Sequence, residues 1–284
     1  MTTLFGRPAI SGATRVAGVI GSPVRHSLSP ALHNAAFEQL GLDWVYTAFE
    51  VAPGQASAAL AAMRALGLGG LSVTMPHKEA VAAAVDALAP AAAALRSVNT
   101  VVPQADGSLK GYSTDGAWFI ASLAVAGVSV GGRSVCLLGG GGAARSLADA
   151  LARGGAARVA VVNRTHSAAE ETAALAGAVG VVGVAADVGA ADIVVNATSV
   201  GMGADESPCD SALLRSGQVV ADIVYHPRRT ALLKAAAAAG AVTVDGLGML
   251  VHQAALQQRL WHGTAPSIEA MTAAVERELA ARRQ

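Results

Sequence analysis

Residues 134–145, SVCLLGGGGAAR, constrain the fold more tightly than any other stretch of this chain. Val135, Cys136, Leu137 and Leu138 read as a buried strand, and four glycines then lead into small residues suited to opening a helix. Gly139, Gly141 and Ala144 fit the spacing G-x-G-x-x-[GA]. In that pattern the first position makes a tight turn, the second lets the backbone approach a pyrophosphate, and the third lets the helix pack close to the strand. The free N–H groups and positive end of the helix then face the phosphates. A chain with 32 glycines can meet this spacing by chance, so its context must decide.

A second apolar run, Arg158–Val162, begins about twenty residues on, one βαβ step away. It ends in Asn163-Arg164-Thr165. A fold for NAD places Asp or Glu here to accept from the ribose 2′-hydroxyl. An arginine stands here instead, and a guanidinium suits a 2′-phosphate, so the loop favours NADP.

At 284 residues the chain has room for two domains. Basic and acidic residues balance at 20 each, which argues against nucleic acid or an anionic membrane as partner. No run of about 18 strongly apolar residues is present, and the longest candidate, near Ala173–Ala186, is broken by glycines. Residues 1–14 lack the apolar core of a signal peptide. The two cysteines, Cys136 in a strand and Cys209 in a loop, make neither a disulfide framework nor a metal site. The expectation is a cytoplasmic protein without a metal; monomer and homodimer stay equally open.

Strand and helix alternate along the chain. Arg15–Ile20 is a strand, and Ser29 reads as the N-cap and Pro30 as the first residue of a helix to Leu40. Ser27 and Ser29 then lie between a strand's C-terminus and a helix's N-terminus, a common anion site, although capping alone also explains them. Asp43–Val51 is a strand, Pro53–Leu66 a helix, and Gly70–Thr74 a strand. The next helix opens near Pro76 and puts Lys78 in its first turn, where a cation is unfavourable unless solvated or given a chemical task. Val98–Val102 and Leu109–Tyr112 are strands joined at the Asp106-Gly107 turn, and Asp115 reads as the N-cap of helix Gly116–Ala126. Beyond the glycine loop come helix Ala168–Ala176, strands Val179–Val184, Asp192–Asn196 and Gln218–Val224, helix Thr230–Ala239 and strand Ala241–Val244. Asp245-Gly246-Leu247-Gly248 reads as a turn before helices Met249–Trp261 and Ser267–Ala281. The alternation implies an α/β protein with parallel sheets covered on both faces.

Gly21-Ser22-Pro23…His26-Ser27-Leu28-Ser29-Pro30…His33-Asn34, Thr74-Met75-Pro76-His77-Lys78, Val98-Asn99-Thr100 and Thr114-Asp115-Gly116 occur in that order. Gly139–Arg145, Asn163-Arg164-Thr165, Asn196-Ala197-Thr198, Asp222…Tyr225…Pro227 and Gly246…Gln253 follow. Together they resemble the shikimate dehydrogenase family, from Gly21 to about Gln253. The resemblance implies NADP-dependent reduction of 3-dehydroshikimate to shikimate, on the route to aromatic amino acids. It also implies an N-terminal α/β substrate domain over residues 1–115, with residues 249–284 returning to it, and a Rossmann-type doubly wound domain over 116–248. By resemblance Lys78 and Asp115 are the catalytic pair. Ser27, Ser29 and Tyr225 hold the substrate carboxylate, and Thr74, Asn99, Asp115 and Gln253 meet the ring hydroxyls. Gly139, Gly140, Gly141, Gly142, Ala143, Asn163, Arg164, Thr165, Ile223 and Gly246 meet the cofactor.

The chain departs from the family pattern at Ser72 and Ser113, where asparagine is usual, and at Gly140, where alanine is common. A hydroxyl in place of an amide reaches less far and alters how Thr74 and Asp115 are held. Gly140 loosens the phosphate loop slightly. Two other readings share the scaffold: a quinate/shikimate dehydrogenase, against whose common NAD preference Arg164 argues, and a non-catalytic ligand sensor, against which Lys78 and Asp115 argue together.

Overall fold

The computed structural model describes residues 10–282. Of the stretch read as leaderless, residues 1–9 lie outside the described residues. The chain forms two compact units: one runs up to Thr114 and resumes at Val251, and the other is Asp115–Leu250.

In the first unit β1 (Arg15–Gly21) passes through α1 (Ser29–Gln39) to β2 (Trp44–Glu50), and α2 (Ala56–Ala65) leads to β3 (Gly70–Val73). Then come α3 (Lys78–Ala84), the short β4 (Ala87–Leu88), α4 (Pro90–Leu95), β5 (Thr100–Pro103) and β6 (Leu109–Tyr112). The sheet order is β2-β1-β3-β5-β6-β4. β1 runs parallel to β2 and β3, whereas β5 is antiparallel to both β3 and β6. This corrects the expectation of parallel sheets throughout. The Ser108 N–H donates to Asp106 Oδ1 at 2.9 Å, closing a turn too short for the crossover that a parallel pair requires.

The second unit opens with α5 (Asp115–Val125) and β7 (Ser134–Leu138), followed by α6 (Gly142–Arg153), β8 (Arg158–Val162), α7 (His166–Leu175) and β9 (Gly180–Val182). α8 (Asp187–Ala190), β10 (Ile193–Asn196), β11 (Val219–Asp222), α9 (Ala231–Ala238) and β12 (Val242–Val244) complete it. The order is β12-β11-β10-β7-β8-β9, and every pairing is parallel. Successive residues of β7 face opposite layers, as strand geometry demands. Val135 and Leu137 join Phe119 and Leu123 of α5 and Leu147 and Leu151 of α6. Cys136 and Leu138 join Leu232 and Leu233 of α9. This doubly wound sheet is the one the glycine-rich stretch implied.

α10 (Gly246–His262) carries the chain back to the first unit, where α11 (Ile268–Ala281) ends it. Three helix starts differ from expectation. α1 begins on Ser29 itself, and it is the Ser27 hydroxyl that accepts the Ser29 N–H, at 3.2 Å. α5 begins on Asp115, which therefore sits in the first turn rather than before it. Gly246–Gly248 is helix, not turn, because Asp245 Oδ1 accepts the Leu247 N–H at 3.1 Å and so caps α10 one turn early. Among the described residues no helix is long and apolar enough to cross a membrane, and no cluster of three or more His, Cys, Asp or Glu side chains is placed to hold a metal ion.

Candidate active site

In the first unit the candidate residues collect around the C-terminal ends of β1 and β3, where strand order reverses, the usual place for a ligand in an open α/β sheet. The loops leaving those strands are tied by main chain: Ser22 N–H donates to Met75 C=O, and Thr74 N–H to Ile20 C=O, both at 3.0 Å. The first loop carries Ser27 and Ser29. The Arg282 guanidinium, just past α11, donates to the main-chain oxygens of His26 and Ser27 at 2.6 and 3.3 Å. No local sequence pattern announces Arg282, because its partners lie on the opposite arm of the chain.

The second loop carries Thr74 and Lys78. Buried His77 has Nε2 2.8 Å from Val51 C=O, which anchors the start of α3. Half-buried Lys78 is the first residue of α3, and its carbonyl accepts the Val98 N–H at 3.0 Å. That bond brings Lys78 beside Asn99. Asn99 is fully buried and its Oδ1 accepts from Thr100 Oγ1 (3.0 Å) and Thr114 N–H (3.1 Å), while Nδ2 donates to Thr114 Oγ1 (2.9 Å). Asn99 thereby fixes the residue that directly precedes Asp115.

Half-buried Gln253 lies on α10, and Gln257 follows one turn later on the same face. Gln257 Nε2 donates to Thr100 Oγ1 at 3.0 Å and to Asn99 C=O at 3.3 Å. The hydroxyl of Ser72 accepts from the Tyr46 phenol at 2.7 Å and donates to Gln257 Oε1 at 2.9 Å. Burial pushes the Tyr46 phenol well above its ordinary pKa, with the Ser72 and Ser29 hydroxyls opposing it. Ser72 is thus engaged in a buried network, and Tyr46, Thr100 and Gln257 are members that sequence alone did not single out.

In the second unit the strand order reverses between β7 and β10. The loop after β7 has Gly139 at φ +122°, a region other residues rarely adopt, and a Cβ there would stand 3.0 Å from the Ala197 carbonyl oxygen. A Cβ at Gly140 would lie 3.0 Å from Asn163 Nδ2 and 3.1 Å from Ala168, so glycine lets the loop after β8 close onto the phosphate loop. Around Gly141 and Gly142 there is open space at the N-terminus of α6, and Ala144 is completely buried, as the fingerprint requires. Arg164 and Thr165 are exposed at the start of α7.

Ile223 and Gly246 also meet: a Cβ on Gly246 would lie 2.5 Å from the Ile223 carbonyl oxygen. Beneath them buried Asp222 accepts from Asn196 Nδ2 (2.9 Å), Thr230 Oγ1 (2.7 Å) and Val224 N–H (3.0 Å). Burial raises its pKa against those three donors. Asn196 in turn accepts from Thr198 N–H and hydroxyl at 3.0 and 2.7 Å, so one polar knot sets the loops after β10 and β11. Tyr225, half-buried, stands on the second of these loops.

The first unit therefore assembles hydroxyls, amides and an ammonium, a donor set for an oxygen-rich small molecule. The second assembles a glycine cradle at a helix N-terminus with an arginine on the next loop, a set for phosphates. Residues 19–101 match the family model described as the shikimate dehydrogenase substrate binding domain, residues 122–207 that of shikimate / quinate 5-dehydrogenase, and residues 246–276 that of the shikimate 5′-dehydrogenase C-terminal domain. A shikimate dehydrogenase (NADP(+)) of Rubrobacter xylanophilus is 45% identical over 280 residues, covering 95% of this chain and 99% of its own. The chain belongs to the shikimate dehydrogenase family. Among solved family members, a shikimate dehydrogenase in complex with NADP+ superposes with a TM-score of 0.92 at 36% identity, covering 97% of this chain and 99% of its own. One from Thermus thermophilus in complex with NADP(H) and shikimate gives 0.87 at 36% identity, covering 93% and 99%.

Proposed function

We propose that this family member is an oxidoreductase that reversibly reduces 3-dehydroshikimate to shikimate with NADPH. The observation that carries the reading is the near full-length match to an enzyme named for that activity and cofactor. The residues present fit the cofactor. The Gly139–Gly142 cradle leaves open space at the α6 N-terminus for a pyrophosphate, and exposed Arg164 suits a 2′-phosphate. Asn163, Thr165, Ala143, Ile223 and Gly246 complete the proposed cofactor contacts.

Held by the Gly139–Gly142 cradle and Arg164, NADPH would supply the hydride that the substrate's carbonyl carbon receives. The carbonyl π pair moves onto oxygen, and the Lys78 ammonium stabilises that charge and gives the oxygen a proton. Lys78 regains a proton from solvent, and the Asp115 carboxylate orients the amine. Ser27, Ser29 and Tyr225 take the carboxylate of the substrate, and Thr74, Asn99 and Gln253 its hydroxyls. The same reading puts the protein in the cytoplasm, where free thiols such as Cys136 and Cys209 persist.

Initial rates with shikimate and with quinate, each with NADP+ and NAD+, test the reading. Preference for shikimate and NADP+ is expected; turnover of quinate with NAD+ refutes the substrate and the role of Arg164, and no turnover with any pair favours the sensor. Lys78→Ala should lower kcat by about 10²–10⁴-fold while shikimate affinity stays within a few-fold. A variant that keeps most of its kcat removes Lys78 from the catalytic role.

A further inference from the structure

We propose that the buried chain Tyr46–Ser72–Gln257–Thr100–Asn99 is a positioning relay: it fixes the orientation of the Asn99 amide, and it registers α10, with Gln253, against β5. The inference rests on the reading that Asn99 and Gln253 meet the substrate hydroxyls.

The direction of the relay follows from two main-chain groups. The Asn99 carbonyl can only accept, so the atom of Gln257 facing it at 3.3 Å is the amide nitrogen. Gln257 Oε1 then faces Ser72 at 2.9 Å, and Ser72 must donate its hydroxyl hydrogen to it. Ser72 is left to accept, so the Tyr46 phenol donates, at 2.7 Å. Burial keeps that phenol protonated, which makes it a dependable donor. The ring is fixed by stacking on His33 at 4.1 Å and 15°.

At the other end Gln257 donates to Thr100 Oγ1 at 3.0 Å, so Thr100 passes its own hydrogen to Asn99 Oδ1, also at 3.0 Å. The Thr114 N–H, which can only donate, occupies the second lone pair of that oxygen at 3.1 Å. Asn99 Nδ2 donates to Thr114 Oγ1 at 2.9 Å, so both ends of the amide are tied to neighbouring groups and its orientation is fixed. Tyr46, Ser72, Gln257, Thr100, Asn99 and Thr114 are all buried, so water cannot replace a missing link at low cost.

Ser72 is the link to break, with the isosteric pair Ser72→Thr and Ser72→Val. Both add the same bulk and only the first keeps the hydroxyl, so packing strain cancels between them. Shikimate KM of Ser72→Val should rise about tenfold over Ser72→Thr, with kcat within about threefold because Lys78 is untouched. Tyr46→Phe should raise KM less, and add nothing further in the Ser72→Val background. The side-chain amide signals of Asn99 and Gln257 should exchange faster with solvent in Ser72→Val than in Ser72→Thr. Equal KM and equal amide exchange in the two variants overturn the relay. Asn99→Ala separates the two ideas: if it leaves KM for shikimate unchanged, the role of Asn99 in binding falls, and the functional part of the relay with it, even where amide exchange responds to Ser72→Val.

Discussion

Replacing His33 with phenylalanine should make the stability of the first unit less dependent on pH, so that the variant gains about 2 kcal/mol on the native protein between pH 7.5 and 5.0. His33 has no exposed surface, and burial holds its imidazole down at about 3, against 6.5 for the free side chain. The folded state therefore keeps His33 neutral while the unfolded chain takes up a proton as pH falls below 6.5, so stability declines with falling pH from there to about 3. Between pH 7.5 and 5.0 that linkage removes about 2 kcal/mol, at about 1.4 kcal/mol per pH unit below 6.5.

Phenylalanine abolishes the titration and adds only a pH-independent offset. The Gln258 Nε2 donor, 3.2 Å from His33 Nδ1, loses that partner but keeps the His33 carbonyl at 3.1 Å, a loss of about 1 kcal/mol. Phenylalanine also removes the buried His33 Nε2, which has no hydrogen-bond partner, and this offsets that loss; the gap between the two stability curves should change by about 2 kcal/mol from pH 7.5 to 5.0. The lowered carboxylates Asp86 and Asp192 titrate below this window, and His262, whose pKa burial also lowers, contributes equally to both proteins. Urea unfolding followed by Trp44 and Trp261 fluorescence reports on this region, since the Trp261 ring lies 5.1 Å from His33. Trp118 of the second unit is replaced by phenylalanine in both proteins to isolate the signal. Curves that stay parallel from pH 7.5 to 5.0 would refute the assignment of a neutral buried His33.

Three further outcomes follow from the geometry. Gly139→Ala forces a side chain into φ +122° with its Cβ 3.0 Å from a carbonyl oxygen, and should cost about 1–3 kcal/mol and weaken NADP+ binding by about tenfold; unchanged calorimetric affinity and melting temperature would count against the cradle. Asp222→Ala strands three buried donors, from Asn196, Thr230 and Val224, and should destabilise by about 3 kcal/mol or more in urea, whereas a loss below about 1 kcal/mol would mean that water satisfies them. Arg282→Ala frees the loop carrying Ser27, so KM for shikimate should rise several-fold at constant kcat, and an unchanged KM would show that the tether is idle.

Alternating apolar runs and glycine breaks sufficed to reveal the second unit, because a parallel strand buried on both faces writes itself as consecutive apolar residues such as Val135–Leu138. The phosphate loop was legible for a similar reason: its glycines answer to local backbone geometry, as Gly139 shows. Helix starts were less legible. Asp245 and Ser27 compete with neighbours for the same capping roles, and the winner depends on where the flanking strand ends. The antiparallel β5 was visible as a hairpin turn at Asp106-Gly107, yet its partner β3 was not, since pairing joins residues distant in sequence.

The sequence by itself determined the fold class, the glycine cradle and the order of the motif residues, because each rests on contacts within a few positions of the chain. The tertiary structure alone decided that Ser72 bonds Gln257, that Arg282 holds the Ser27 loop and that Asp222 knots two loops together. These are bonds between side chains and partners as many as 256 positions apart. A hydroxyl or amide carries no mark of which distant partner will satisfy it, and only burial, by removing water as the alternative, makes that partner necessary.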